Sequence, residues 1–224
     1  MKKILSFLFL SLVWTQSALA DLTIEITEGV EGALPIAVVP FGWTGPGSPP
    51  VDVAEVINDD LQRSGRFKTI PRVDMLSRPT NAEQIEFKDW RALDTQNLVV
   101  GQIGPKGTGG YEIRFQLFDV YKGEQLTGYT IPTTRPNLRA TAHRIADLIY
   151  EKLLGVPGAF ATRVAYVTSV RQGDGSNRID LKVADADGHN PETIVSTTEP
   201  LMSPAWSPDG RKIAYVSFEE GQSA

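Results

Sequence analysis

The chain has 224 residues, 41% of them hydrophobic and 22% charged, with a formal net charge of −5. That composition excludes wholesale disorder, and the negative balance argues against a general binder of phosphate backbones. There are no cysteines and only two histidines, His143 and His189. Disulfides, thiolate zinc sites and cysteine nucleophiles are therefore excluded, and little is left for metal or proton-transfer chemistry.

Residues 1–20 read as a secretory signal peptide. Lys2 and Lys3 form a basic start, Ile4 to Val13 is an apolar run broken only by Ser6 and Ser11, and Ala18-Leu19-Ala20 is a small-x-small cleavage site. The run is shorter than the ~20 apolar residues of a membrane span. Cleavage between Ala20 and Asp21 is expected. No cysteine follows for lipidation and no arginine pair precedes the run. A soluble exported protein, most simply periplasmic, is the expectation.

The segment Asp21 to Ala33 comes next. Leu22, Ile24 and Ile26 alternate with Thr23, Glu25 and Thr27, the period of a strand, before Gly29 and Gly32 loosen the chain. Such a terminal strand either begins the sheet or is captured by a partner through strand addition.

Residues 34–155 read as an α/β domain. Pro35 to Phe41 is a short buried strand bounded by prolines. A helix is predicted from about Pro49 to Ser64, with Ser48 as cap, Asp52 and Glu55 at its positive end, and Gly65 as stop. Val53, Val56, Ile57 and Leu61 form its apolar stripe. Phe67 to Ile70 is a candidate strand and Glu86 to Leu93 a short helix. Leu98 to Ile103 and Tyr111 to Val120 form a hairpin, and Leu126 to Ile131 a further strand. The best-marked helix runs from Asn137 to Leu154, with Leu138, Ala142, Ile145, Ile149 and Leu153 on one face and Gly155 as stop.

Residues 156–158 read as a linker, and strands and turns follow over 159–224. The stretch Thr162 to Thr168, TRVAYVT, recurs as RKIAYVS at Arg211 to Ser217. The spacing is roughly 50 residues, near the period of a propeller blade. Ser207-Pro208-Asp209-Gly210 is a turn sequence. About one and a half blades are expected here, too few to close a ring. The predicted fold class is thus an α/β domain with a mixed sheet, followed by an incomplete β-propeller.

Asp59 and Asp60 are helix neighbours pointing apart, read as part of a solvated acidic face. Asp185-Ala186-Asp187-Gly188-His189-Asn190 opens like a calcium loop. Asn190 stands where that loop needs glycine and Ser196 where it needs glutamate, so a hairpin turn is the reading. The glycines between Gly101 and Gly110 lack Gly-Lys-Ser/Thr and join two strands, not a strand and a helix. His143 lies off the apolar stripe and is expected to be half-exposed, and no complete Gly-x-Ser-x-Gly elbow accompanies it. Trp43, Trp90 and Trp206 read as packing anchors, with Trp43 the least settled because it lies in a glycine-proline loop. No catalytic, metal or cofactor residue is predicted, and binding is favoured over catalysis.

Five stretches resemble the TolB family of periplasmic Tol-Pal proteins of Gram-negative bacteria. They are PIAVVPF at 35–41, DLQRSGRF at 60–67, VVGQI at 99–103, EKLLGVPGAF at 151–160, and PLMSPAWSPDGRKIAYVSF at 200–218. The resemblance implies an α/β domain followed by a six-bladed propeller, with no enzymatic activity and no cofactor. It implies binding to the C-terminal domain of TolA through the N-terminal segment, here Asp21, Leu22, Thr23, Ile24, Glu25, Ile26 and Thr27. It also implies binding to the lipoprotein Pal, largely through the propeller surface that colicins exploit. The implied role is outer-membrane integrity and invagination at cell division. Two other readings are a propeller-bearing periplasmic hydrolase fragment, and a peptide- or carbohydrate-binding module built around Trp43.

Overall fold

The computed structural model describes residues 32–218. The expected signal peptide, its cleavage site at Ala20–Asp21 and the candidate partner strand Asp21–Thr27 lie outside the described residues.

Strand β1 (Leu34–Val38) sits inside the first sheet, parallel to β3 (Phe67–Thr69) on one side and to β4 (Asn97–Lys106) on the other. A strand covered on both faces needs a continuous apolar run. Ile36, Ala37, Val38 and Val39 meet this, all at 0–1% exposure. Pro40 lacks an N–H and interrupts the ladder, which resumes as β2 (Gly42–Trp43), also parallel to β4. β4 then turns through Gly107 and Gly109, both at positive φ, into β5 (Gly110–Asp119), which pairs with β6 (Glu124–Thr134). The order is β3-β1-β4-β5-β6, mixed as expected, and the hairpin strands run longer than their apolar cores suggest.

Helices α1 (Val53–Arg63) and α3 (Leu138–Leu154) lie together on one face of this sheet. Leu138, Ala142, Ile145 and Ile149 form the predicted stripe of α3, and all are fully buried against Ile57, Leu61, Ile113, Phe115 and Leu117. Gly155 ends α3 at φ 73, its N–H donating to the Glu151 carbonyl at 2.8 Å. On the other face, α2 (Phe87–Ala92) brings Trp90 over Ala37, Leu98, Val100 and Phe118. Short 3₁₀ turns at Arg72–Asp74 and Ala82–Gln84, with no clear pattern in the sequence, carry the chain across.

Helix α1 starts later than predicted. Its cap is Asp52 and not Ser48: Oδ1 of Asp52 accepts from the Glu55 N–H at 3.0 Å. A proline disfavours helical geometry in the residue before it, so Pro49 and Pro50 keep Ser48 and Pro49 out of the helix. Arg72 then fixes Asp52 by two bonds, 2.6 and 2.9 Å, onto its two carboxylate oxygens.

Beyond α3 the structure is antiparallel. Strands β7 (Arg163–Arg171), β8 (Asn177–Asp185) and β9 (Glu192–Thr197) form a three-stranded meander. Strands β10 (Leu201–Trp206) and β11 (Ile213–Ser217) form a hairpin, with β10 lying against β7 and β8. The repeated segments fall on β7 and β11. The Ser207–Gly210 turn closes as its residues dictate: Asp209 accepts from the Ser207 hydroxyl at 2.6 Å, and Gly210 takes φ 67. Leu181, Val183, Ala184 and Leu201 are buried, while Val164, Val170, Ile194 and Met202 remain at least 40% exposed. No described helix is long and apolar enough to cross a membrane.

Candidate functional site

Two predictions about polar residues are overturned by the packing of α1 on α3. Asp60 belongs to no solvated face: it is 1% exposed, while Asp59 beside it points outward. His143, expected half-exposed, is 2% exposed. The cause is one relationship. The turn of α1 carrying Asp60 meets the turn of α3 carrying His143, and Nδ1 of His143 lies 2.6 Å from Oδ2 of Asp60. The other Asp60 oxygen accepts from Nη2 of Arg63 at 2.5 Å. A buried charge is tolerable only when paired in this way.

The same imidazole faces the propeller strands. Its Nε2 is buried, has no hydrogen-bond partner, and lies 3.6 Å from Oδ2 of Asp187 in the β8–β9 turn. Arg139, one turn before His143 on α3, donates to that Asp187 oxygen. Burial alone would raise the Asp187 carboxyl. The His189 N–H and the Arg139 guanidinium outweigh it and hold the group below its ordinary 3.8. The turn is the predicted hairpin connection: Gly188 takes φ 82, and Asp185 accepts from the Asn190 amide at 3.1 Å. A polar chain thus runs Arg63–Asp60–His143–Asp187–Arg139, from α1 through α3 to the propeller strands.

The backbone beside this chain is tightly held. Asp147 of α3 accepts from the N–H groups of Phe160 and Ala161 at 2.8 and 3.1 Å. A Cβ on Gly158 would stand 2.3 Å from Asp147 Oδ1 and 2.8 Å from its Cα, so only glycine fits that approach. Phe160 packs edge-on to Tyr150, which packs on Phe67.

Leu34, paired with Phe67, follows directly on the segment that carries the candidate partner strand. Its N–H donates to the Arg66 carbonyl at 2.9 Å. Beside it, a groove of about 340 Å³ is lined by residues including Gln96, Asn97, Tyr121, Leu126 and Leu153. Trp43 is a packing anchor. Its ring stacks on Tyr111, with centroids 6.2 Å apart, and its Nε1–H donates to the Pro46 carbonyl at 3.2 Å. Trp90 is buried in the second core cluster, and Trp206 is half-buried.

A mixed-sheet α/β unit followed by antiparallel blade strands places the chain among proteins that join an α/β domain to propeller-type strands. The family is specific: residues 22–126 match the TolB amino-terminal domain and residues 150–224 match the TolB beta propeller domain. The chain is 53% identical to the Tol-Pal system protein TolB of Nitrosococcus oceani, over 99% of this chain and 51% of that protein. It is 49% identical to the one from Thioalkalivibrio sulfidiphilus, over 99% and 51%. The crystal structure of TolB from Acinetobacter baumannii matches with a TM-score of 0.73 at 36% identity, covering 86% of this chain and 46% of that one. The chain belongs to the TolB family and spans about half the length of these relatives.

Proposed function

We propose that the chain acts as a non-enzymatic adaptor of the Tol-Pal system in the periplasm, reached through the signal peptide at residues 1–20. In this reading residues 34–155 are the α/β domain, 156–158 the link and 159–224 the propeller portion. Residues 21–27 add as a strand to the C-terminal domain of TolA. The propeller portion contributes to a surface for Pal. The work served is outer-membrane integrity and invagination at division.

Family membership carries this reading. The alternation of Leu22, Ile24 and Ile26 with polar residues supports it, because main-chain pairing gives affinity and alternate side chains give register. A mechanism follows. A strand docked on its own protein cannot add to another sheet, so any partner favouring the docked state lowers affinity for TolA, reciprocally. No described feature favours the hydrolase reading, and the internal stacking of Trp43 disfavours a ligand platform there.

The test is a titration of the TolA C-terminal domain with wild type and with Ile24→Asp/Ile26→Asp. Binding is expected to weaken at least about tenfold, with the thermal midpoint unchanged. Unaltered affinity in the doubly charged variant overturns the assignment.

A further inference from the structure

We propose that the junction of α3 with the β8–β9 turn is a divalent metal site of zinc type, ligated by Nε2 of His143 and the carboxylates of Asp185 and Asp187.

One donor atom from each of these three residues lies within 4.8 Å of the other two. The acidic pair alone would mean little, because carboxylates gather in turns. The buried, unpartnered Nε2 aimed at them is the independent observation. An Nε2–H would have no acceptor in reach, since 3.6 Å to Asp187 Oδ2 is too long for a hydrogen bond. Two donors each ~2.1 Å from one tetrahedral ion stand roughly 3.4 Å apart, close to the 3.6 Å between Nε2 of His143 and Oδ2 of Asp187, and Asp185 lies within 4.8 Å of both.

The second shell also fits. With Nδ1 turned to Asp60 at 2.6 Å, Nε2 is the ring nitrogen that faces the acidic pair. A carboxylate behind a ligating histidine orients the ring and raises its basicity. Here that carboxylate is itself held by Arg63. Asp187 accepts from Arg139 and from the His189 N–H, and Asp185 from Asn190, so both acidic ligands are positioned too. With a neutral imidazole, Asp60, Asp185 and Asp187 outnumber Arg63 and Arg139 by one negative charge, so the site attracts a cation. One imidazole with two carboxylates suits zinc or its first-row neighbours better than calcium, which takes oxygen ligands only. A fourth position is left for water.

The ligands come from both parts of the chain: His143 from the α/β unit, Asp185 and Asp187 from the propeller strands. An ion held by all three would clamp one to the other.

The test uses the whole chain, stripped with chelator and titrated with zinc chloride at fixed neutral pH by calorimetry, with melting followed in parallel. Wild type is expected to bind one ion and to melt about 5 °C higher at a hundredfold excess over Kd. Asp185→Asn, at a half-buried position, is expected to keep the fold by circular dichroism and lose at least about tenfold in affinity. His143→Gln should lose binding as well. His189→Gln, which removes the exposed histidine of the same turn, should bind like wild type. Cobalt in place of zinc should give visible absorption that disappears in Asp185→Asn, a readout independent of stability. No stoichiometric binding below 100-micromolar zinc, or binding lost only in His189→Gln, overturns the proposal. A thermal midpoint that does not move with zinc also overturns it.

Discussion

Nδ1 of His143 and Oδ2 of Asp60 stand 2.6 Å apart, 83 positions apart in sequence and both shut off from solvent. Helix α1 is thereby keyed to helix α3 by a polar contact inside an otherwise apolar interface. Removing one partner leaves a buried imidazole and a loosened guanidinium. Asp60→Ala is therefore expected to cost about 3 kcal/mol of unfolding free energy, read as a lower urea midpoint at unchanged slope. A cost below about 1 kcal/mol would mean that water reaches the pair on mutation.

The cap of α1 predicts a pH dependence. The bonds from Arg72 outweigh burial and hold the Asp52 carboxyl below its ordinary 3.8. A carboxyl whose folded value is depressed contributes stability present above the unfolded value and lost as pH falls through the folded one. Asp52→Asn keeps a capping oxygen but removes the charge. At pH 7 it should cost under about 1 kcal/mol, because the pair is half-exposed and screened. The difference from wild type should shrink steadily below pH ~4. Denaturant titrations from pH 7 to pH 3 read this directly, and a difference that grows on acidification would reverse the sign assigned.

Gly158 is the tightest point where the chain leaves α3. Gly158→Ala forces the added methyl against Asp147 and strains the bonds to Phe160 and Ala161, at an expected cost of about 2 kcal/mol. Gly173→Ala, whose methyl meets open space, should lie within about 0.5 kcal/mol of wild type. Thermal melts of the two variants decide this, and equal midpoints would show that the close approach relaxes freely.

What was legible in the sequence is what depends on local pattern. The stripe of α3 repeats over four turns and ends at a glycine, so its burial follows from period alone. The apolar run of β1 and the SPDG turn are equally local. The cap of α1 falls at Asp52 and not at Ser48, where Pro49 and Pro50 block an earlier start and Arg72, twenty positions on, holds the Asp52 carboxylate in a contact that no local pattern reveals. Asp60 and His143 were misread for the same reason. On an isolated helix each lies among polar neighbours, and only the packing of α1 on α3 decides which polar residue turns inward. A spacing cue existed in Asp60 and Arg63, three residues apart on one face, but nothing local pointed to His143. The Asp185–Asp187 pair was visible as a turn, and its meeting with His143 depends on how the blade strands pack on α3.

The most direct measurement is a calorimetric titration of the TolA C-terminal domain against two versions of the chain, one beginning at Asp21 and one at Leu34, where the first buried strand starts. Binding by the longer version alone is predicted, because the epitope assigned is the alternating strand Asp21–Thr27 and the described sheet is common to both. Equal affinity of the two versions would contradict that assignment and move the TolA surface onto the folded chain.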